Sequence, residues 1–421
     1  MKTRRLNWAI AMILGAGTAG QATAQTLEER VRRLEQENRE QAAAIDQHER
    51  TIAEQKQQLE GAPQRVERLE ETLELKRDAG TGRGGWFEHI EIGGLIEVEG
   101  VYVDPYEGSS ESDLVLATVE LGIAAQVTDW VEAMASLLYE EDETDLEVDL
   151  AMITIANPDV TPVFFTAGQF YVPFGAYETN LVSDPLTLEI GESRETAAQL
   201  GFVYQGFSGS AYAFNGDNKV KGDNHIDSWG ANLAFAQERE DLTWTIGAGY
   251  INDLGDSDSL QDSVADNRAA LQLEIAELRP EEAEQFSLDP TERTGGWTAN
   301  LGLVYRNVNL IGEYLSASGR FDPDSLSFKG KGAEPAAWNI ELGYSFEVFG
   351  KESVAAVAYQ GTSEAVNLEL PETRWAVGWS IGLFDGTALS FEYAHDKDYS
   401  TRDGGTGNNA NAFVAQLAVE F

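Results

Sequence analysis

The stretch "WAVGWSIGL", Trp375–Leu383, repeats every two residues rather than every 3.6. Trp375, Val377, Trp379, Ile381 and Leu383 share one face of an extended chain; Ala376, Gly378, Ser380 and Gly382 share the other. A half-buried strand of a water-soluble sandwich hides its large residues and turns Lys, Glu or Thr to solvent. Here the second face is small or weakly polar. Large apolar groups on one side and small ones on the other is how a membrane barrel divides lipid from a crowded or water-filled lumen.

The pattern recurs. In "GWTANLGLVY", Gly296–Tyr305, the faces are Trp297, Ala299, Leu301, Leu303 and Tyr305 against Thr298, Asn300, Gly302 and Val304. "SWGANLAF" and "LTWTIGAGY" behave alike, and aromatics gather near strand ends, as in interfacial girdles. Alternating runs predict 16 strands, an even number as single-chain bacterial barrels require. They begin near Trp86, Asp113, Val131, Glu147, Val163, Thr196, Ser208 and Asp227, then near Asp241, Thr294, Asn307, Ala336, Glu352, Glu372, Thr387 and Asn411. Tight connections such as "TDW", "QGFSG" and "FDGT" alternate with long ones, among them 171–195, 215–226 and 252–293. Short turns at one end and long loops at the other are the barrel signature. The fold class expected is thus all-β: a 16-stranded antiparallel transmembrane β-barrel over 86–421. Its final "NAFVAQLAVEF" alternates outward to a terminal Phe421, resembling the outer-membrane assembly signal.

The chain has 421 residues and no cysteine, so stability rests on backbone pairing and burial rather than disulfides. Lys2, Arg4 and Arg5, a short apolar run from Trp8, and "ATAQ" predict a signal peptide over 1–24. A heptad follows over 25–77, with Val31, Asn38, Ile45, Ile52, Leu59, Val66 and Leu73 at a; it predicts a short periplasmic coiled coil that associates with copies of itself. "DAGTGRGG", 78–85, reads as a linker. Residues 1–85 hold 14 basic and 14 acidic side chains, so the remainder, 15 against 58, carries the whole net charge of −43. Nucleic acid and anionic surfaces are poor partners for such a surface.

One connection stands apart: "FYVPFGAYETNLVSDPLTLEIGESRETAAQLGF", Phe170–Phe202, whose middle reads as neither helix nor strand. It joins the fifth and sixth strands. It resembles the corresponding segment of the LbtU-type siderophore porin family, outer-membrane barrels associated with iron–siderophore uptake, and more distantly the phosphate-selective porins. In 16-stranded porins this third external loop folds inward and narrows the lumen. The resemblance therefore implies a constriction at 171–195, passage of ferric siderophore or a similar small solute without TonB, and a trimeric assembly in outer-membrane lipid. Leu181, Val182, Leu186, Leu188 and Ile190 would pack on the wall; Glu178, Asp184, Glu189 and Glu192 would face the pore, with Arg194 as counter-charge. Glu91, Glu97, Glu99, Glu120, Asp149, Glu313, Glu341 and Glu392 fall on the inferred lumen face. Such fixed acid favours cations, which sits awkwardly with a polycarboxylate siderophore.

Other classes have little support. A TonB-dependent receptor needs a plug and about 22 strands. His48, His89, His225 and His395 are dispersed, and "GDSDSL", Gly255–Leu260, only loosely resembles an esterase block, so no catalytic residue, cofactor or metal site is expected. Asp253, Asp256 and Asp258 lack the glycine and closing glutamate of a calcium loop and read as a solvated turn. Two alternatives to siderophore passage remain: a general cation-preferring diffusion porin, and a structural or adhesive barrel tethered by its coiled coil.

Overall fold

The structure, a computed structural model, describes residues 90–141, 144–278 and 287–421. The expected leader, coiled coil and linker lie outside the described residues.

The first eight strands are β1 (Ile90–Asp104), β2 (Glu111–Thr128), β3 (Val131–Glu140), β4 (Thr144–Ala156), β5 (Val163–Tyr171), β6 (Arg194–Tyr204), β7 (Phe207–Phe214) and β8 (Ser228–Arg239). They are followed by β9 (Leu242–Ile251), β10 (Gly296–Tyr305), β11 (Val308–Ala317), the two-residue strands β12 (Ser327–Phe328) and β13 (Lys331–Gly332), β14 (Ala336–Val348), β15 (Lys351–Ser363), β16 (Thr373–Phe384), β17 (Thr387–Lys397) and β18 (Asn409–Glu420). All except β12 and β13 form one closed antiparallel barrel of sequential neighbours, sealed where β18 pairs with β1 from Leu95↔Glu420 to Asp104↔Asn411. Sixteen strands are therefore present in the wall, and the alternation of tight and long connections follows from their order. The small β12–β13 hairpin lies inside a long connection that the sequence pattern left undivided.

Alternation explains each face. In β16, Trp375, Val377 and Trp379 are exposed on the outside, while Arg374, Ala376 and Gly378 are buried within. A belt of rings crosses the outer face near the long-loop end: Trp297 meets Tyr314, Trp338 meets Tyr359 at 4.7 Å, and Tyr359 stacks on Trp375 at 4.3 Å. An apolar outer surface banded by aromatics suits a bilayer, where every backbone N–H must pair within the protein and closure removes the unpaired edges.

One apolar core lies inside the long-loop end, where inward wall residues such as Phe170, Phe214 and Leu315 meet the loops. Phe174, Leu186 and Ile190 from the 172–193 loop meet Leu254, Leu260 and Val264 from 252–295, Phe321 and Leu326 from 318–335, and Leu370 from 364–372. Two helices serve this core: α1 (Leu186–Gly191) and α2 (Asp258–Leu278). Neither was anticipated from the sequence. In α1 the stretch "LTLEIG" turns Leu186 and Ile190 together into the core behind Pro185, whose fixed φ suits a helix start. In α2 the residues Leu260 and Val264 are one turn apart and form the docked stripe, but its many charges hide the period. Among the described residues no helix is long and apolar enough to cross a membrane.

The outward face gives a direct test. Val377→Arg, on the outside at mid-strand, is expected to cost about 2–4 kcal/mol in refolding from urea into lipid vesicles. Glu91→Arg, on the inward face, should cost far less; equal costs would reverse the assignment of the two faces.

Candidate functional site

The segment 172–193 leaves β5, crosses to the inward faces of β9–β11 and β14–β17, and returns to β6. Its backbone needs partners wherever it leaves water. Three wall glutamates supply them. Glu313 on β11 accepts from the N–H of Ala176 (2.8 Å), the N–H of Tyr177 (3.0 Å) and the hydroxyl of Thr187 (3.0 Å). Glu341 on β14 accepts from the N–H (2.7 Å) and side-chain amide (2.6 Å) of Asn180 and from the Thr179 hydroxyl (2.6 Å). Glu392 on β17 accepts from the N–H groups of Val182 (2.6 Å) and Ser183 (3.0 Å) and from the Ser183 hydroxyl. The wall adds neutral contacts: Gln360 Oε1 accepts from the Leu186 N–H at 2.9 Å, and the Thr298 hydroxyl donates to the Phe174 carbonyl at 2.6 Å.

Two glycines make room for this approach. A Cβ on Gly249 would stand 2.0 Å from the Phe174 carbonyl oxygen, and one on Gly378 would stand 2.6 Å from Leu181 Cδ2. Leu181, Val182, Leu186, Leu188 and Ile190 are all buried, as the wall-packing expectation requires. Asp184 departs from expectation. Expected to face the pore, it is 3% exposed, buried between the Ser183 anchor and α1. Glu178 is exposed, and Glu189, Glu192 and Arg194 are partly exposed.

Because the loop is drawn to one side, space remains on the other. A cavity of about 310 Å³ runs between the loop and β1–β5, lined by Glu120, Glu140, Glu147, Asp149, Glu192 and Asp258, with Tyr171, Tyr177 and Arg194. Among the described residues Arg194 is its one basic lining residue, and it is ion-paired, 2.5 Å from Glu147 and 3.2 Å from Asp149. Tyr171 donates to the same Asp149 at 2.9 Å. Leu95 and Glu120 also line a second cavity of about 480 Å³, which reaches Glu91 and Phe421 at the tight-turn end. The two spaces thus share wall residues on β1 and β2.

The remaining predicted lumen acids sit nearby. Glu97 accepts from the Thr118 hydroxyl (2.9 Å) and Glu99 from the Gln416 amide (2.8 Å), both buried, whereas Glu91 is exposed. Of the eight, then, Glu313, Glu341 and Glu392 face the loop, and Glu120 and Asp149 face the cavity. Sequence reasoning missed Glu140 and Glu147 as lining residues. The period of two would have found both: Glu147 stands two residues from Asp149 on β4, and Glu140 two from Leu138 on β3.

The expected solvated turn at Asp253 and Asp256 is instead an interior junction. Both are buried: Asp253 accepts from the Gly255 N–H (3.0 Å) and Asn218 amide (3.1 Å), Asp256 from the Asn218 N–H (2.9 Å) and Ser228 hydroxyl (2.7 Å). Asp258 goes elsewhere, accepting from the Arg194 N–H at 3.2 Å and so tying α2 to the end of the 172–193 loop. The three carboxylates do not converge, and among the described residues no group of three or more His, Cys, Asp or Glu is placed to hold a metal ion. His225 is exposed beside Asp223, and His395 bonds Asn411 at 2.8 Å.

No family model matches the chain. It is 28% identical over 361 residues to a UPF0422 protein of Legionella pneumophila (strain Lens), a match covering 79% of this chain and 66% of that protein. It is likewise 28% identical over 329 residues to a UPF0422 protein of Coxiella burnetii (strain RSA 493 / Nine Mile phase I), covering 76% and 67%. The chain therefore spans about two thirds of the length of the curated relatives it matches. Among solved structures it is similar to an anion-selective porin from Comamonas acidovorans, with a TM-score of 0.53 at 14% identity over 79% of this chain and 99% of that one. The outer membrane channel DcaP of Acinetobacter baumannii gives 0.52 at 12% identity over 78% and 96%, and Pseudomonas putida OprB gives 0.53 at 9% identity over 79% and 94%. At such identities the likeness shows the fold: a 16-stranded porin-type barrel.

Two outcomes are expected. Gly249→Val should push Phe174 off the wall and speed protease cleavage within 172–193 in the folded, detergent-solubilised protein at least several-fold. The second concerns pH. Burial, then mutual repulsion, pushes Asp253 above the usual carboxylate range, and burial pushes up Asp256 likewise. A carboxyl whose pKa is raised in the docked state favours docking while protonated. Docking of 252–295 should therefore be strongest in acid and weaken as pH rises from about 4 towards neutrality, seen as faster amide exchange across α2. Asp253→Asn should flatten that dependence.

Proposed function

We propose that this chain is an outer-membrane channel that passes a small solute passively, through the space between the 172–193 loop and the β1–β5 wall. One observation carries the reading: the loop is bonded to the opposite wall at three places, and two cavities with Leu95 and Glu120 common to their linings remain beside it. The loop then narrows the lumen, as the third external loop is expected to do, and Glu120, Glu147, Asp149 and Glu192 line the narrow part with Arg194.

The lining supports a preference for cations. Six carboxylates face one guanidinium that is already paired with two of them, so the field in the gap is negative. The Comamonas barrel is titled anion-selective; at 14% identity that property stays with that protein. Resemblance to the LbtU-type family makes ferric siderophore a candidate cargo, and the acid in the gap favours a neutral or cationic complex over a polycarboxylate one. Sixteen strands, rather than the about 22 of a plugged receptor, support passage without TonB. A homotrimer in outer-membrane lipid completes the reading. Uptake of labelled iron–siderophore by cells with and without the protein tests the cargo.

Single-channel recording tests the channel. Reversal potentials in a salt gradient should show cation preference; Glu120→Gln should weaken it, and Arg194→Gln should strengthen it by freeing Glu147 and Asp149. Anion preference in the unmodified protein would overturn the selectivity assignment. A barrel that conducts nothing would leave the structural, adhesive reading in its place.

A further inference from the structure

We infer that Glu313, Glu341 and Glu392 are positioning residues: anchors that set where the channel is open by holding the 172–193 loop, not groups that select what passes. This rests on the channel reading above, though its test does not.

The argument begins with valence. In each of the three carboxylates both oxygens accept hydrogen bonds, and the loop groups opposite them are amide N–H and hydroxyl donors. Each carboxyl offers an oxygen as acceptor to backbone N–H groups that can only donate, while its contacts to Thr179, Ser183 and Thr187 are to hydroxyls, which can donate or accept. The geometry therefore fits three carboxyl anchors. Their placement gives them no view of the passage. They are 6%, 0% and 1% exposed, and none of them lines the cavity beside the loop. A passing ion meets Glu120 and Glu192, while these three meet backbone N–H groups of the loop.

The spacing along the loop is also informative. The anchored groups are Ala176–Tyr177, Thr179–Asn180 and Val182–Ser183, three pairs in succession along eight residues. Each pair goes to a different strand, β11, β14 and β17, so the loop is fixed across a broad arc of wall. Three isolated lumen charges would show no such order. Anchors for a strap must.

The chain contains no cysteine, so a single introduced thiol reports on the loop without background. Val182→Cys places that thiol in the buried stretch, on a residue whose own N–H is held by Glu392. We expect maleimide labelling of detergent-folded Val182→Cys to be slow, and to rise at least ten-fold when Glu392→Gln or Glu341→Gln is added. Labelling of Ala410→Cys, buried in β18, should not rise in the same backgrounds, which separates loop release from general loosening of the barrel. In bilayers the anchor variants should raise conductance and current noise, and move the reversal potential less than Glu120→Gln does. If Glu392→Gln does not assemble, Ser183→Ala, which removes one hydroxyl donor, should give a smaller rise in labelling. Unchanged labelling in the anchor variants overturns the inference, as does a loss of cation preference equal to that of Glu120→Gln. A silent unmodified barrel would sink the channel reading, while the labelling result would still decide whether the anchors hold the loop.

Discussion

A backbone amide removed from water must be paired, and this requirement acts twice in this protein. Against hydrocarbon it leaves helices or closed barrels as spanning structures, and a chain with no helix long and apolar enough among its described residues has β18 returning to β1. Within the barrel the same requirement applies to a loop of 22 residues that runs along the wall. There the partners are side chains, and carboxylates are well suited, since each offers two oxygens and charge-assisted bonds are among the stronger ones.

The wall and loop are complementary in detail as well as in polarity. The inward face of β9 and β16 carries glycine where the Phe174 carbonyl and the Leu181 side chain come closest, while β11, β14 and β17 carry glutamate where loop N–H groups point at them. Small residues inside the barrel are therefore not uniform filler. Some mark the footprint of the loop. Arg194 works at the other margin, joining the end of the loop to Glu147 and Asp149 on β4 while its own N–H is held by Asp258 of α2. Two external loops thus share one fastening at the edge of the cavity.

Much of this architecture is legible in the sequence because a period of two survives in single strands and the parity of connection lengths survives across all of them. Trp375, Val377 and Trp379 announce their face without help from any neighbour. The site is less legible. Parity says that Glu120, Glu313 and Glu341 point inward, but it does not say that one meets a cavity and two meet a loop, since that depends on residues more than a hundred positions away. The helices escape for local reasons: α1 is only six residues long, and the apolar positions of α2 are too few to outweigh its charge. Asp253 and Asp256 look solvated in a list of acids and become interior only because the 215–227 connection folds over them.

The three anchors also impose an order of events. The loop emerges between the fifth and sixth strands, yet its glutamates lie 126 to 210 residues further along the chain. Contacts of such long range form late, because the intervening chain must first be ordered. The hairpin of β5 and β6 can pair early, but its connection is not held at all three places until β17 is laid down. Full seating of the loop therefore waits on the penultimate strand of the wall.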